Sequence, residues 1–391
     1  MSRRLKAAAL VAVMGMAAGL TVAAPAAVAG SARLPRITIK KVALDWAGNR
    51  TAAQTAALRA QPFAGTPIRD FSRNITDGAS TFKYTMIGKD PFVVQAKPKT
   101  TIKTYLQPVR FQFSNGHFWD PTLGDSCDAT SAVTRTQSSP IFVAQPWSFG
   151  GTSVGNAQYV DAVQRAGFYD QTKPTGINPG YHVKLALITL PKLTINVPNG
   201  SAAEGTISCG NGILGAVEIN YWDNLVQNTL LPNMAAQGLT LKDFPLFLFG
   251  NVVMFAGSPG NCCILGYHFA KGSGASFQSY GNAMYDNTSA FSGSGDVSVL
   301  THEVSEWMDD PNGVNPTKPW GNIGQVVGCQ NNLETGDPLS GTVKTDVLNG
   351  KTYHVQELAF YSWFYHQNPS QGVNGWFSNF GKFTIDANPC P

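Results

Sequence analysis

The spacing of apolar positions along the chain switches repeatedly between strand-like and helix-like patterns. Thr104 to Phe113 alternates apolar and polar residues, the period of a strand. His182 to Leu190 and Leu193 to Val197 continue in that style, ahead of the turn signal Pro198-Asn-Gly. Phe244 to Phe255 is read as one largely apolar run, short enough for a buried strand. Ile264 to Ala270 and Ser276 to Tyr285 add two more strands. Helical spacing occurs at Ala129 to Ser138 and at Asn156 to Ala166. It also occurs over Ile219 to Gln237, where Pro232 must kink or end the helix. Val343 to Val355 predicts a hairpin turning at Asn349-Gly350. Between these elements, residues 312–341 are rich in Gly, Asn and Pro and predict a long loop, a class that often carries function. The pattern is that of a mixed α and β fold.

One helical stretch carries chemistry as well as pattern. In Ser294 to Pro311 an apolar stripe runs through Val297, Leu300, Val304 and Met308. Ser294 or Asp296 is the expected cap, and Pro311 marks the end. The opposite side carries His302 and Glu306, one turn apart and so stacked one above the other. Glu303 lies beside them. An imidazole and a carboxylate at this spacing can hold one metal ion, with Glu303 within reach of a water on it. This is a His-Glu-x-x-Glu version of the zinc-hydrolase motif His-Glu-x-x-His. Asp309 and Asp310 add to the negative charge, and a cation would offset the crowding of acids on a packed helix.

A catalytic zinc usually takes three protein ligands and keeps a position for water. The expected third ligand is Glu334, in Leu333-Glu-Thr-Gly-Asp-Pro338, with Asp337 and Asp310 as substitutes. Ordinary turn chemistry at Thr-Gly-Asp-Pro accounts for Glu334 and Asp337 equally well. Asp309 sits two turns from His302, about 10.5 Å along the axis, too far to share an ion readily. His268, closing an apolar strand, is the other histidine of interest, although most such histidines are satisfied core or rim residues. His117, His182, His354 and His366 have no partner visible in the sequence.

The start of the chain changes the setting. Arg3, Arg4 and Lys6 precede an Ala-rich apolar run from Ala7 to Val22, and Ala-Val-Ala29 offers a cleavage site, so residues 1–29 are read as a secretory signal. No later stretch is long and apolar enough to span a bilayer. The formal net charge of the whole chain is +4, and three of those charges belong to the leader. The remainder is nearly neutral, without a basic block, and nucleic acid is not an expected partner. All six cysteines follow the leader, and an even count in an exported chain predicts disulfides. Their pairing is open, except that the neighbours Cys262 and Cys263 are expected to join different partners. Residues 30–100 have little periodicity, with a linker-like Lys97-Pro-Lys-Thr-Thr at their end. They are read as an N-terminal extension, either a pro-segment or an added layer on a main domain at 101–391.

Three other motifs fail on context. Gly210-Asn-Gly-Ile-Leu-Gly215 has the spelling of a dinucleotide loop but follows a polar stretch and not a strand. Gly350-Lys-Thr lacks the earlier glycine of a phosphate loop. No Gly-x-Ser-x-Gly elbow is present.

His302-Glu-Val-Ser-Glu-Trp-Met-Asp-Asp-Pro311 resembles the His-Glu-Leu-Ala-Glu…Asp-Pro segment of a bacterial secreted family distantly akin to the plant EXORDIUM-type phosphate-induced proteins. Gly266-Tyr-His268 and Leu333-Glu-Thr-Gly-Asp337 are similar to that family's segments in the same order. The resemblance is loose over residues 101–391 and best over 264–340. It implies an α+β, zincin-like fold: a twisted mixed β-sheet over a cleft floored by the motif helix. The tail Gln356 to Phe380 is aromatic in its own right and is expected to pack beneath the site. The expectation is a secreted, extracellular zinc metallopeptidase. His302, Glu306 and Glu334 would hold the metal, Glu303 would be the general base, and a peptide or protein would be the substrate. Glu306 in place of a second histidine makes the site harder and admits another divalent metal. The alternative is a non-catalytic extracellular or cell-wall-associated protein with a structural metal site.

Overall fold

A computed structural model describes residues 21–22, 33–39, 67–386 and Cys390. The expected leader, residues 1–29, therefore lies outside the described residues apart from Thr21–Val22, which pair in parallel with Leu193–Val197. Among the described residues no helix is long and apolar enough to cross a membrane.

The fold is α+β and built around one sheet. Its centre is the strand Lys99–Phe113, which begins inside the stretch expected to be a linker. One edge of that strand pairs in parallel with His182–Thr189 and then with Leu193–Val197. The other edge pairs in parallel with Phe244–Gly250, which in turn pairs in parallel with Gln278–Tyr285. The last strand on this side, Gly266–Lys271, is antiparallel.

Phe244–Gly250 explains why its sequence is apolar throughout. Phe244, Leu246 and Leu248 belong to the core on one face of the sheet, Phe247 and Phe249 to the core on the other. A strand covered on both faces has no polar side to show. The run to Phe255 is nevertheless two strands. Asn251, at a φ of 55°, turns the chain, and Val252–Phe255 enters a second, smaller sheet with Ala202–Thr206, Ile213–Glu218 and Cys262–Ile264. The expected strand from Ile264 is divided in the same way, between Cys262–Ile264 and Gly266–Lys271.

Each face of Phe244–Gly250 receives a helix anchored by a tryptophan. Trp222 meets Phe247 and Phe249 edge-on, and its indole N–H donates to Asn282 Oδ1 at 2.7 Å. It lies in the helical stretch Ile219–Ala236, which opens into a π-turn at Val226–Leu230 just before Pro232. The wider turn absorbs the missing N–H and the clash that proline brings. On the other face lies the motif helix, Ser298–Asp309. Its Trp307 stacks on Phe244 with ring centroids 3.7 Å apart and donates to Ser279 Oγ at 2.9 Å.

All 12 residues of the motif helix are buried. Strands Gln278–Tyr285 and Gly266–Lys271 cover it on one side, and Ser80–Ile87 and Lys351–Gln356 on others. Its N-terminus differs from the expectation: neither Ser294 nor Asp296 caps it. Val297 holds the cap position, and the Asp296 carboxylate turns to His354, accepting from its backbone N–H at 2.8 Å and from Nδ1 at 2.7 Å.

Much of the expected 312–341 loop is ordered as a hairpin, Pro316–Ile323 with Val326–Asn332. Its glycines and amides conceal the strand period, and Trp320 pins it by packing edge-on to Trp363 and Phe364 of the aromatic tail. The hairpin at Val343–Leu348 and Lys351–Gln356 turns at Asn349 and Gly350, both at positive φ, as its sequence predicts. In the expected extension, Asp70–Asp77 and Ser80–Ile87 form a hairpin that joins the larger core. Asn315 clamps it: its amide accepts from Thr85 N at 2.9 Å and donates to Thr85 O at 2.7 Å.

The six cysteines form Cys127–Cys209, Cys262–Cys263 and Cys329–Cys390, leaving none free. The expectation that Cys262 and Cys263 join different partners is overturned. The fold pairs the other four among themselves, and the two neighbours close on each other beside the candidate site.

Candidate metal centre

The motif helix places His302 and Glu306 as the spacing requires: His302 Nε2 lies 3.0 Å from Glu306 Oε2. A second carboxylate approaches the same nitrogen, Asp337 Oδ1 at 3.4 Å. Two donors on one tetrahedral ion, with bonds of about 2.1 Å, stand roughly 3.4 Å apart, so both separations suit a shared cation. The histidine tautomer follows from its other side. The Gln356 amide N–H donates to Gly336 O at 2.6 Å, which turns Gln356 Oε1 toward His302 Nδ1, 3.1 Å away. Nδ1 therefore carries a hydrogen, and Nε2 is the nitrogen that would face an ion.

The loop reaches this close because residue 336 is glycine. A β-carbon there would stand 2.5 Å from His302 Nδ1 and 2.6 Å from its Cγ. The Gly336 and Asp337 backbone N–H groups then donate to Glu306 Oε1 at 3.0 and 3.2 Å, which leaves Oε2 for the ion. A second glycine makes room for Glu303. A β-carbon on Gly266 would meet Glu303 Oε1 at 2.8 Å.

Glu334 does not join His302. It lies with His268 and Glu306, whose ligand atoms stand within 4.8 Å of one another; His302, Glu306 and Asp337 form the matching group. Asp337, a substitute in the sequence argument, thus takes the place beside His302 that was assigned to Glu334. The other substitute, Asp310, is turned away: its carboxylate accepts from the backbone N–H groups of Val314 at 2.9 Å and Asn315 at 2.8 Å. Asp309 accepts from Gln164 at 2.5 Å. The four histidines without a visible partner each lie 2.7 Å from a carboxylate elsewhere: His117 from Glu204, His182 from Asp161, His354 from Asp296, His366 from Asp77.

The electrostatics favour a cation. Glu303, Glu306, Asp309, Asp310, Glu334 and Asp337 are all buried in one region. Burial pushes Glu303 up to about 8 and Asp309 up to about 7, and raises Glu306 as well. Burial would lower His302, but the Glu306 and Asp337 carboxylates outweigh it and hold the imidazole well above its ordinary range. Burial dominates at His268 and pulls it down. Groups so disposed want a positive charge between them, supplied by a proton or a metal.

His302 and Glu303 both line one solvent-open cleft. Its walls include Cys263 to Gly266 on one side, and Ser294, Ser298, Gln325, Ser340 and Gln356 on others. Gln356, Gly336 and Gly266 carry no signal by residue type or spacing. Gly336 reads as a turn residue until His302 is placed against it.

No family model, curated protein or solved structure matches this chain.

Proposed function

We propose that this protein is a metal-dependent hydrolase of the metallopeptidase type with a zincin-like fold, exported by its leader. The observation that carries this is the group at His302 Nε2, with carboxylate oxygens of Glu306 and Asp337 at 3.0 and 3.4 Å and its tautomer held by Gln356. These three residues would hold a divalent ion, zinc first, with other metals admitted by the hard donor set. When bound, the ion supplies Lewis acidity and an acidified water. Glu303 is the general base of this reading: its carboxylate lines the cleft next to His302. It would take a proton and pass it to the leaving amine. Gly266–Lys271 ends the large sheet beside the cleft, and an extended peptide is the natural occupant of such an edge.

Glu303→Gln tests the reading. It should retain metal and fold while casein or peptide turnover falls by about 10²–10⁴-fold. Turnover at the wild-type rate would reject the role of Glu303.

One observation favours a second reading, a non-catalytic extracellular protein. Backbone N–H groups of the loop already grip Glu306, so an ion at His302 could serve only to tie helix to loop. Bound metal with no turnover, with and without chelator, would select this reading.

A further inference from the structure

The histidine that the proposed centre leaves out has its own unmet geometry. His268 is buried, at 7 % exposure, in the edge strand Gly266–Lys271. Its Nε2 lies 2.9 Å from the backbone carbonyl of Asp310. A carbonyl only accepts, so Nε2 carries the ring hydrogen and Nδ1 bears a lone pair. That lone pair faces Glu303 Oε2 at 3.6 Å and Glu306 Oε2 at 3.7 Å. With Glu306 ionised, acceptor faces acceptor in a buried place, at a separation too long for a hydrogen bond and right for two donors on one ion. Glu334 comes in from the opposite loop, its Oε2 lying 3.9 Å from His268 Nε2, and one ligand atom from each of His268, Glu306 and Glu334 lies within 4.8 Å of the others. The hydrogen bond from Nε2 to a backbone carbonyl is the support that metal-binding histidines usually have.

The charge count points the same way. Glu303, Glu306, Glu334 and Asp337 bring four negative charges when ionised, and one divalent ion offsets two of them. The two ligand groups meet at Glu306. Its Oε2 is 3.0 Å from His302 Nε2 and 3.7 Å from His268 Nδ1.

We infer that the centre takes two divalent transition-metal ions, the second held by His268 and Glu334 and joined to the first through the Glu306 carboxylate. This rests on the reading of His302, Glu306 and Asp337 as a metal centre and extends it. A carboxylate-rich pair of this kind suits Mn²⁺ or Zn²⁺. Paired ions clamp the attacking and leaving oxygens of a displacement, so the class of reaction widens from peptide to ester and phosphoester hydrolysis.

The test is metal stoichiometry on the full chain, loaded with Mn²⁺ or Zn²⁺ and dialysed, by elemental analysis. Wild type should hold two ions. His268→Ala should hold one, His302→Ala one, and Glu306→Ala fewer than one. The Mn²⁺-loaded wild type should give the broadened resonance of a spin-coupled pair, and His268→Ala the six-line signal of an isolated ion. This spectrum reads the pair in wild type even if a variant fails to fold. A single ion in wild type with an uncoupled spectrum, or one unaltered by His268→Ala, overturns the inference and leaves the single-metal hydrolase standing. No ion at all overturns both.

Discussion

Gly336→Ala is the sharpest perturbation of the centre, because it adds one methyl group and removes no ligand. Gly336 has φ −85° and ψ −34°, ordinary right-handed backbone that alanine adopts without strain. The effect is therefore purely one of space. The new β-carbon would stand 2.5 Å from His302 Nδ1, 2.6 Å from Cγ and 2.8 Å from Cε1. All three contacts are to one ring, and none can be relieved by bending a flexible tip. The ring is held by the helix below, by Gln356 on Nδ1 and by Glu306 on Nε2. Ordinary contact distance for such atoms is about 3.5 Å, so ring and loop must part by roughly 1 Å. Overpacking of this size costs about 1–3 kcal/mol of stability. A shift of about 1 Å at a catalytic centre costs on the order of 10²-fold in rate. Loss of the Gln356 support costs about 10–100-fold in metal affinity. The assays are competition for Zn²⁺ against a fluorescent chelator, turnover of casein or a peptide, and thermal melting. The expected result is a modest drop in melting temperature with a large drop in affinity and turnover. A Gly336→Ala protein that binds Zn²⁺ as tightly as wild type would refute the placement of the loop against His302, and with it the assignment of Asp337.

Asp337→Ala should lower Zn²⁺ affinity more than Glu334→Ala does when only the first ion is loaded; the reverse order in the same competition assay would restore Glu334 as the partner of His302. Asp309 governs a pH effect: burial raises it from its ordinary 3.8 to about 7, so between those values the unfolded chain has released a proton that the folded chain still holds. Its contribution is thus most favourable below the lower value and falls as pH rises to about 7, by about 4 kcal/mol in all. Asp309→Asn should lessen the fall of denaturant stability over that window, leaving the share of Glu303 and Glu306, and an unchanged slope would count against the burial argument. Trp307→Ala, which removes the stack on Phe244, should cost about 3–5 kcal/mol in urea unfolding, and a loss under 1 kcal/mol would mean that the helix is anchored elsewhere.

The central strands, the two long helical stretches, the Asn349-Gly350 hairpin and the approach of His302 to Glu306 were all legible, because each depends on local period or on spacing within one element. The misses have a common cause. The run at Phe244 to Phe255 changes sheet at Asn251, and the turn signal Gly250-Asn251 is outweighed by strands on both sides that are buried and equally apolar. The 312–341 segment conceals a hairpin whose partner strand and tryptophan anchor come from elsewhere. Cys262 and Cys263 were expected to part because the positions of the other four cysteines cannot be read from order alone.

The amino-acid sequence by itself determined the alternation of strand and helix, the buried motif helix, and a histidine and glutamate stacked one turn apart. All of these follow from side-chain periods along a continuous backbone. The tertiary structure decided which carboxylate faces which histidine. Asp337 reaches His302 and Glu334 reaches His268 because a loop closes on the helix where Gly336 leaves space for the His302 ring. That closure depends on distances between atoms far apart in the chain, and no spacing rule within a single element contains them.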